Sequence, residues 1–408
     1  MTSEDQTTHQ DSAAWDLSEW EALREEDTPP SNAAEEPVAP PAPASAELPD
    51  PQAAAYLAQH GADTVEHAFA LANILHTNRS VAEAATYYGR AFELHSKSPT
   101  QYPLAQSLLQ VRLLCLLKAG QPVPQHELAE LRSLNIPFAN YIDGTSHAWR
   151  GTPPRDALNI MGNAYDEFHT GEEVDSVALE VALRASPSVF SATPQGDDIY
   201  NRIPRKMFLY WDKNPPAEIQ KNFDYHKAIS SFEVKTFDKE EAAEWLYDNY
   251  GIEARTLFLS ARHPAEAADF LRVHVIQLLG GWWLDADIRV KSDAALQFMA
   301  ERKEGSAFFL THNHVVHNDF FGSVANSDVL TDCLLSLYRN CYLHQGLFIA
   351  YKTGPGIFNR ALNRIAHRSL KGRTPAKSIE VFDHHVFNDM IEEFDTPYKT
   401  QLPSWYTA

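Results

Sequence analysis

Between Pro264 and Leu279 the apolar residues Ala267, Phe270, Leu271, Val275, Leu278 and Leu279 recur at spacings of three and four. That pattern predicts a helix with a core-facing stripe. Pro264 stands where a first turn tolerates a missing N–H, and Gly280 stands where a helix needs a left-handed stop, so the span is 264–279. Asp269 and Arg272, one turn apart, fall on another face. The next apolar run, Trp282-Trp283-Leu284, is too short for a helix and reads as a strand buried on both faces of a mainly parallel sheet. It ends on Asp285 and Asp287, at the carboxyl end where open α/β sheets place their ligands.

The same reasoning organises the chain around this unit. Strands are expected at 205–211 and 233–237, with helices at 217–228 and 239–250. Beyond the acids come strands at 307–311 and 319–323 and helices at 328–342 and 357–369, and an irregular aromatic end runs from Asp383 to Trp405. Strands alternating with helices define an α/β domain, assigned to residues 196–408. Upstream, residues 53–185 read as all-α. Ala68, Leu71, Ala72 and Leu75 followed by Ala84, Tyr88, Ala91 and Leu94 resemble one tetratricopeptide unit, a small domain that binds a partner protein or buttresses the α/β part. The polar stretch 186–200 is the joint.

Charge changes the picture at the amino end. The 408 residues carry a formal net charge of -21, which argues against nucleic acid or an anionic membrane as a partner. Thirteen acids, one base and seven prolines fall within residues 1–50, so residues 1–52 are expected to be a disordered acidic tail, within which Trp15, Leu17, Trp20 and Leu23 could form a short partner-binding helix. No apolar run approaches a membrane span, no basic leader is visible, and Cys115, Cys333 and Cys341 show no disulfide or zinc spacing. A reducing, cytoplasmic location is the expectation.

Two carboxylates one residue apart on an extended chain lie on the same side, about 6 to 7 Å apart. Burying them at a strand end requires a positive partner, and oxygen-only ligands suit Mg²⁺ or Mn²⁺. His312, His314 and His317 lack a zinc spacing and read as a loop near the site.

The ordered set IPRKMFLYW, ADFLRVHVIQLLGGWWLDADIRV, NDFFGS and TGP resembles the DXD-motif glycosyltransferases of the family 32 type, over about residues 200–405. The resemblance implies a GT-A nucleotide-sugar-binding fold and a hexosyltransferase that retains anomeric configuration. It implies a UDP- or GDP-linked donor and a glycan, lipid-linked saccharide or protein acceptor, as in polysaccharide biosynthesis. Asp287 would then be the direct ligand of Mn²⁺ or Mg²⁺, and Asp285 would touch the ribose or the metal shell. Asp269 would grip donor sugar hydroxyls and Arg272 the diphosphate, Tyr210 and Trp211 would lie against the base, and Gly354 would let backbone approach the substrate. Met207, Phe208 and Leu209 occupy the region where the family carries a histidine, and Lys399 rather than histidine precedes Trp405. His385 and Asn388 are therefore the candidates for a third metal ligand. The rival readings are a haloacid-dehalogenase-like phosphatase using Asp285 as nucleophile, and a non-catalytic scaffold.

Overall fold

The computed structural model describes residues 48–100, 102–170, 172–190 and 202–400. The expected partner helix around Trp15 and the terminal Trp405 lie outside them. Order begins earlier than the composition implied. The helix Pro51–His60 starts inside the stretch assigned to the tail, because Pro51 opens its first turn and the Asp50 carboxylate accepts the Ala53 N–H at 2.6 Å.

Successive helices follow, with Val65–Thr77 and Val81–Lys97 packed on each other and then Ala105–Lys118, Gln125–Leu134, Ile136–Trp149 and Pro154–Met161. Ala68, Leu71, Ala72, Ala84 and Ala91 are fully buried, so small residues bring the first pair close. This region shares one continuous apolar core with the α/β part, running from Ala53 to Ile379. The junction also has polar contacts to the helix Pro355–Leu370: the Tyr165 hydroxyl lies 3.3 Å from His367 Nδ1, and the Ser186 and Ser369 hydroxyls are 3.1 Å apart.

Eight strands are present among the described residues: β1 Lys206–Tyr210, β2 Glu233–Phe237, β3 Gly281–Leu284, β4 Ile288–Val290, β5 Ser306–Phe309, β6 Phe320–Ser323, β7 Ile379–Phe382 and β8 Ile391–Glu393. Six form the main sheet in the order β2-β1-β3-β6-β5-β7. It is mostly parallel, as the alternation of elements requires, with β6 running antiparallel to both β3 and β5. β4 and β8 pair in a small second sheet. The stretch expected to be irregular from Asp383 therefore contains the helix His384–Met390 and β8; an Asp383 side chain accepting two backbone N–H groups starts that helix.

The helix Pro264–Leu279 lies under the sheet with both predicted ends correct. It is buried at Glu266, Ala267 and every residue from Asp269 to Gln277 rather than along one stripe, while Leu278, assigned to the stripe, is exposed. Gly280 has φ 62°, and a Cβ there would stand 2.9 Å from Ala325 N, so only glycine makes this helix-to-strand passage. Trp282 and Trp283 are both fully buried, one in the core on each side of the sheet. No helix among the described residues is long and apolar enough to cross a membrane.

Candidate active site

Leu284 at the end of β3 pairs with Phe320 at the start of β6. Because β6 runs antiparallel, the residues just before it, Asn318 and Asp319, come to lie beside the residues just after β3, Asp285 and Asp287. The Asp285 N–H donates to the Asp319 carbonyl at 2.9 Å, which fastens the two together. Asp285, Ala286 and Asp287 leave the strand in a turn into β4, instead of continuing extended as the alternating pattern suggested. Asn222, itself fully buried, holds that turn by donating to the Ala286 and Ile288 carbonyls at 2.9 and 2.8 Å.

Arg272 is 2 % exposed and every nitrogen of its guanidinium is engaged. One amino nitrogen reaches Asp269 at 3.1 Å and Asp285 at 3.0 Å, the other donates to the Asn318 carbonyl, and Nε donates to Ala268 O at 3.4 Å. Its plane lies over the Trp283 ring, 5.4 Å from the centroid, and the Trp283 indole N–H donates to Asp285 at 2.7 Å. Asp269 is as fully used: Asn318 donates to one oxygen at 2.8 Å and Thr353 to the other at 3.0 Å. Burial pushes the Asp269 carboxyl up to about 6 despite Arg272.

In this geometry Asp269 and Arg272, expected to grip the donor, are engaged with Asp285, Asn318 and Thr353. A surface ion pair does not describe them, because both are buried. They brace Asp285. Gly354 serves the same brace rather than an open surface: a Cβ there would stand 3.0 Å from Ala350 Cα and 3.3 Å from an Asp269 oxygen. One turn earlier Glu266 is held by Lys352 and, at 3.3 Å, by Arg262.

Asp287 looks the other way. Its side chain is 27 % exposed, and one oxygen takes the Tyr398 hydroxyl at 3.3 Å and the Lys399 ammonium at 3.0 Å. Asp319 is paired with His317 at 3.0 Å, and the His317 ring stacks on Phe387 with centroids 3.6 Å apart. The expected loop near the site is thus present, with His317 as its contributing histidine. Asp285 is held above the ordinary carboxylate range by burial, only partly offset by Arg272, and then by repulsion from Asp287 and Asp319. Burial would raise Asp319 too, but the hydrogen bond and charge of His317 and then Arg272 hold it low.

Two clefts open at the carboxyl ends of β1 and β2. One, of about 500 Å³, is lined by Trp211, Asp212, Lys213, Phe223, Asp238 and Lys239 among others. The second, of about 440 Å³, shares Trp211, Lys213 and Asn214 and reaches Pro397 and Tyr398. Trp211, expected to lie against the base, lines both clefts. Tyr210 does not: it is 5 % exposed, packs edge-on against Phe258, and donates its hydroxyl to Asp212 at 3.0 Å.

Four carboxylates, Asp269, Asp285, Asp287 and Asp319, face one buried permanent cation, Arg272, and one half-exposed one, Lys399. That excess, expressed in the raised Asp285, suits a hard divalent cation in charge and donor chemistry. The acids are not arranged as a ready cage, however: among the described residues no three histidine, cysteine or acidic side chains stand together as metal ligands. Each acid is turned onto its own protein partner. The His385 ring lies tilted against that of His384, centroids 3.8 Å apart, and Asn388 offers its carbonyl to Lys291; no described contact brings either to Asp285 or Asp287.

No protein-family model matches the chain, and no curated protein matches it. A solved structure named PaToxG Glycosyltransferase is similar to it, with a TM-score of 0.34 and 16% identity over 48% of this chain and 86% of that one. A likeness of that extent defines neither a site nor a substrate.

Proposed function

We propose that the chain is a metal-dependent glycosyltransferase that moves a sugar from a UDP- or GDP-linked donor to an acceptor. The observation that carries this reading is the pair of acids in the turn after β3, with Asp269 and Asp319 around them and only Arg272 and Lys399 as cations, next to an aromatic-walled cleft at the carboxyl edge of the sheet. Asp287 and Asp285, with Asp319 beside them, would hold Mn²⁺ or Mg²⁺. When bound, that ion would neutralise the charge of the departing diphosphate.

The chain's own residues have separable tasks. Trp211 presents an indole face to the base, a contact worth about 0.5 to 1.5 kcal/mol beyond the area it covers. Arg272 orients Asp285 and partly offsets the burial that raises its carboxyl, and Asn222 fixes the turn that aims Asp287. Asp269 is no candidate for a glycosyl-enzyme intermediate, since both oxygens are bonded and it is 4 % exposed. Retention would then proceed by front-face displacement, in which the acceptor oxygen attacks from the side the phosphate leaves.

The phosphatase reading is weaker. Trp283 and Arg272 both hold Asp285, leaving it poorly placed to attack phosphorus, and the nearby lysines Lys352 and Lys399 serve Glu266 and Asp287. Incubating the protein with UDP- and GDP-sugars, with and without Mn²⁺, tests the proposal. Mn²⁺-dependent release of UDP or GDP is expected, with complete loss in Asp287→Asn. Unchanged release in that variant would refute it.

A further inference from the structure

The segment after β8 crosses the acids. Within the turn Pro397–Thr400, the Tyr398 hydroxyl and the Lys399 ammonium converge on one oxygen of Asp287. Acid and segment are tied mechanically. β4 begins at Ile288, directly after Asp287, and Ile288 pairs with Glu393, the last residue of β8. The Tyr398 ring also packs edge-on against Trp211, centroids 5.0 Å apart, so the same turn walls the second cleft. Lys399 is half exposed and can leave for water without breaking the core.

We propose that Lys399 is a built-in competitor for the cation at Asp287, and that its displacement couples cation binding to diphosphate binding. This rests on the reading above that Asp287 holds a divalent ion. An ammonium and a divalent cation on one carboxylate repel each other, because like charges a few ångströms apart interact unfavourably even near the surface. Cation entry therefore costs the Lys399–Asp287 pair. The released ammonium stays tethered at the mouth of the cleft that Trp211 and Tyr398 wall, where a diphosphate supplies the counter-charge it lost. Each ligand thus favours the other, and the coupling is reciprocal. The ion pair is also what turns Asp287 away from its neighbouring acids.

The test is titration of the full chain with Mn²⁺, following free Mn²⁺ by electron paramagnetic resonance, alone and with UDP or GDP, in wild type, Lys399→Met, Lys399→Arg and Asp287→Asn. Without nucleotide, Lys399→Met should bind Mn²⁺ about five- to ten-fold more tightly than wild type, the scale of removing one partly exposed charge. Its further gain on adding UDP or GDP should be smaller than the wild-type gain, and Lys399→Arg should behave as wild type. Equal Mn²⁺ affinity and equal nucleotide coupling in wild type and Lys399→Met overturn the competitor role, while loss of Mn²⁺ in Asp287→Asn alone leaves the proposed function standing. Failure of wild type and Lys399→Met to bind Mn²⁺ under any of these conditions removes the cation reading and the competitor with it.

Discussion

Asp285 and Asp287 are one residue apart and live in different chemical surroundings. The Asp285 and Asp287 side chains are equally exposed, at 27 %, but Asp285 is tied to a network in which Arg272, Trp283, Asn318, Thr353 and Asp269 satisfy one another. Asp287 faces a mobile type of partner, a half-exposed lysine and a tyrosine at the edge of a cleft. A network anchored on a buried guanidinium and a buried carboxylate fixes shape and is costly to interrupt. An acid whose partner can swing into water is exchangeable, and exchange is what a ligand site needs.

The contrast can be broken at graded cost. Arg272→Leu should be the most damaging change, because it leaves Asp269 and Asp285 without their counter-charge; a loss of about 3 to 5 kcal/mol in urea unfolding is expected. A loss under about 1 kcal/mol would show that the network is not load-carrying architecture. Asn222→Ala should cost about 1 to 3 kcal/mol, since two turn carbonyls and Arg289 lose a buried partner. It should also lower Mn²⁺-dependent release of UDP or GDP, and wild-type turnover would contradict its positioning role.

Asp269 adds a pH signature. Its folded-state value of about 6 lies above the ordinary 3.8, so the folded protein holds that proton more tightly than the unfolded chain does. The contribution is favourable below about pH 4 and disappears as pH rises through about 6. The stability of wild type relative to Asp269→Asn should therefore fall across that window, by at most about 3 kcal/mol. A rise in the same window would reverse the assignment. The smallest stability effect belongs to Asp287→Asn, expected within about 0.5 kcal/mol of wild type by thermal unfolding although transfer is lost. A large destabilisation there would erase the distinction between the two acids.

Much of this was readable along the chain. The helix 264–279 showed its limits through Pro264 and Gly280, and the short run after it could only be a doubly buried strand. The acids at its end, Arg272 and Trp211 all come to the same edge of the sheet. What stayed hidden depended on contacts between distant segments. Asn318 and Asp319 join the site only because β6 is antiparallel, a fact that local spacing does not encode. Asn222 lies 64 residues from the carbonyl it holds, and Tyr398 lies 111 from Asp287. Likewise, the pattern that marked Tyr210 as an aromatic at a strand end did not show that its face is covered by Phe258.

The sequence by itself determined the helix 264–279, the strand after it and the acids that end that strand, because periodicity, proline and glycine act within a few residues of themselves. Only the tertiary structure decided which of those charges are architecture and which are exchangeable. Burial and partner choice are set by segments that meet after the chain has folded, and the free energy of a charge depends on those surroundings more than on its own identity.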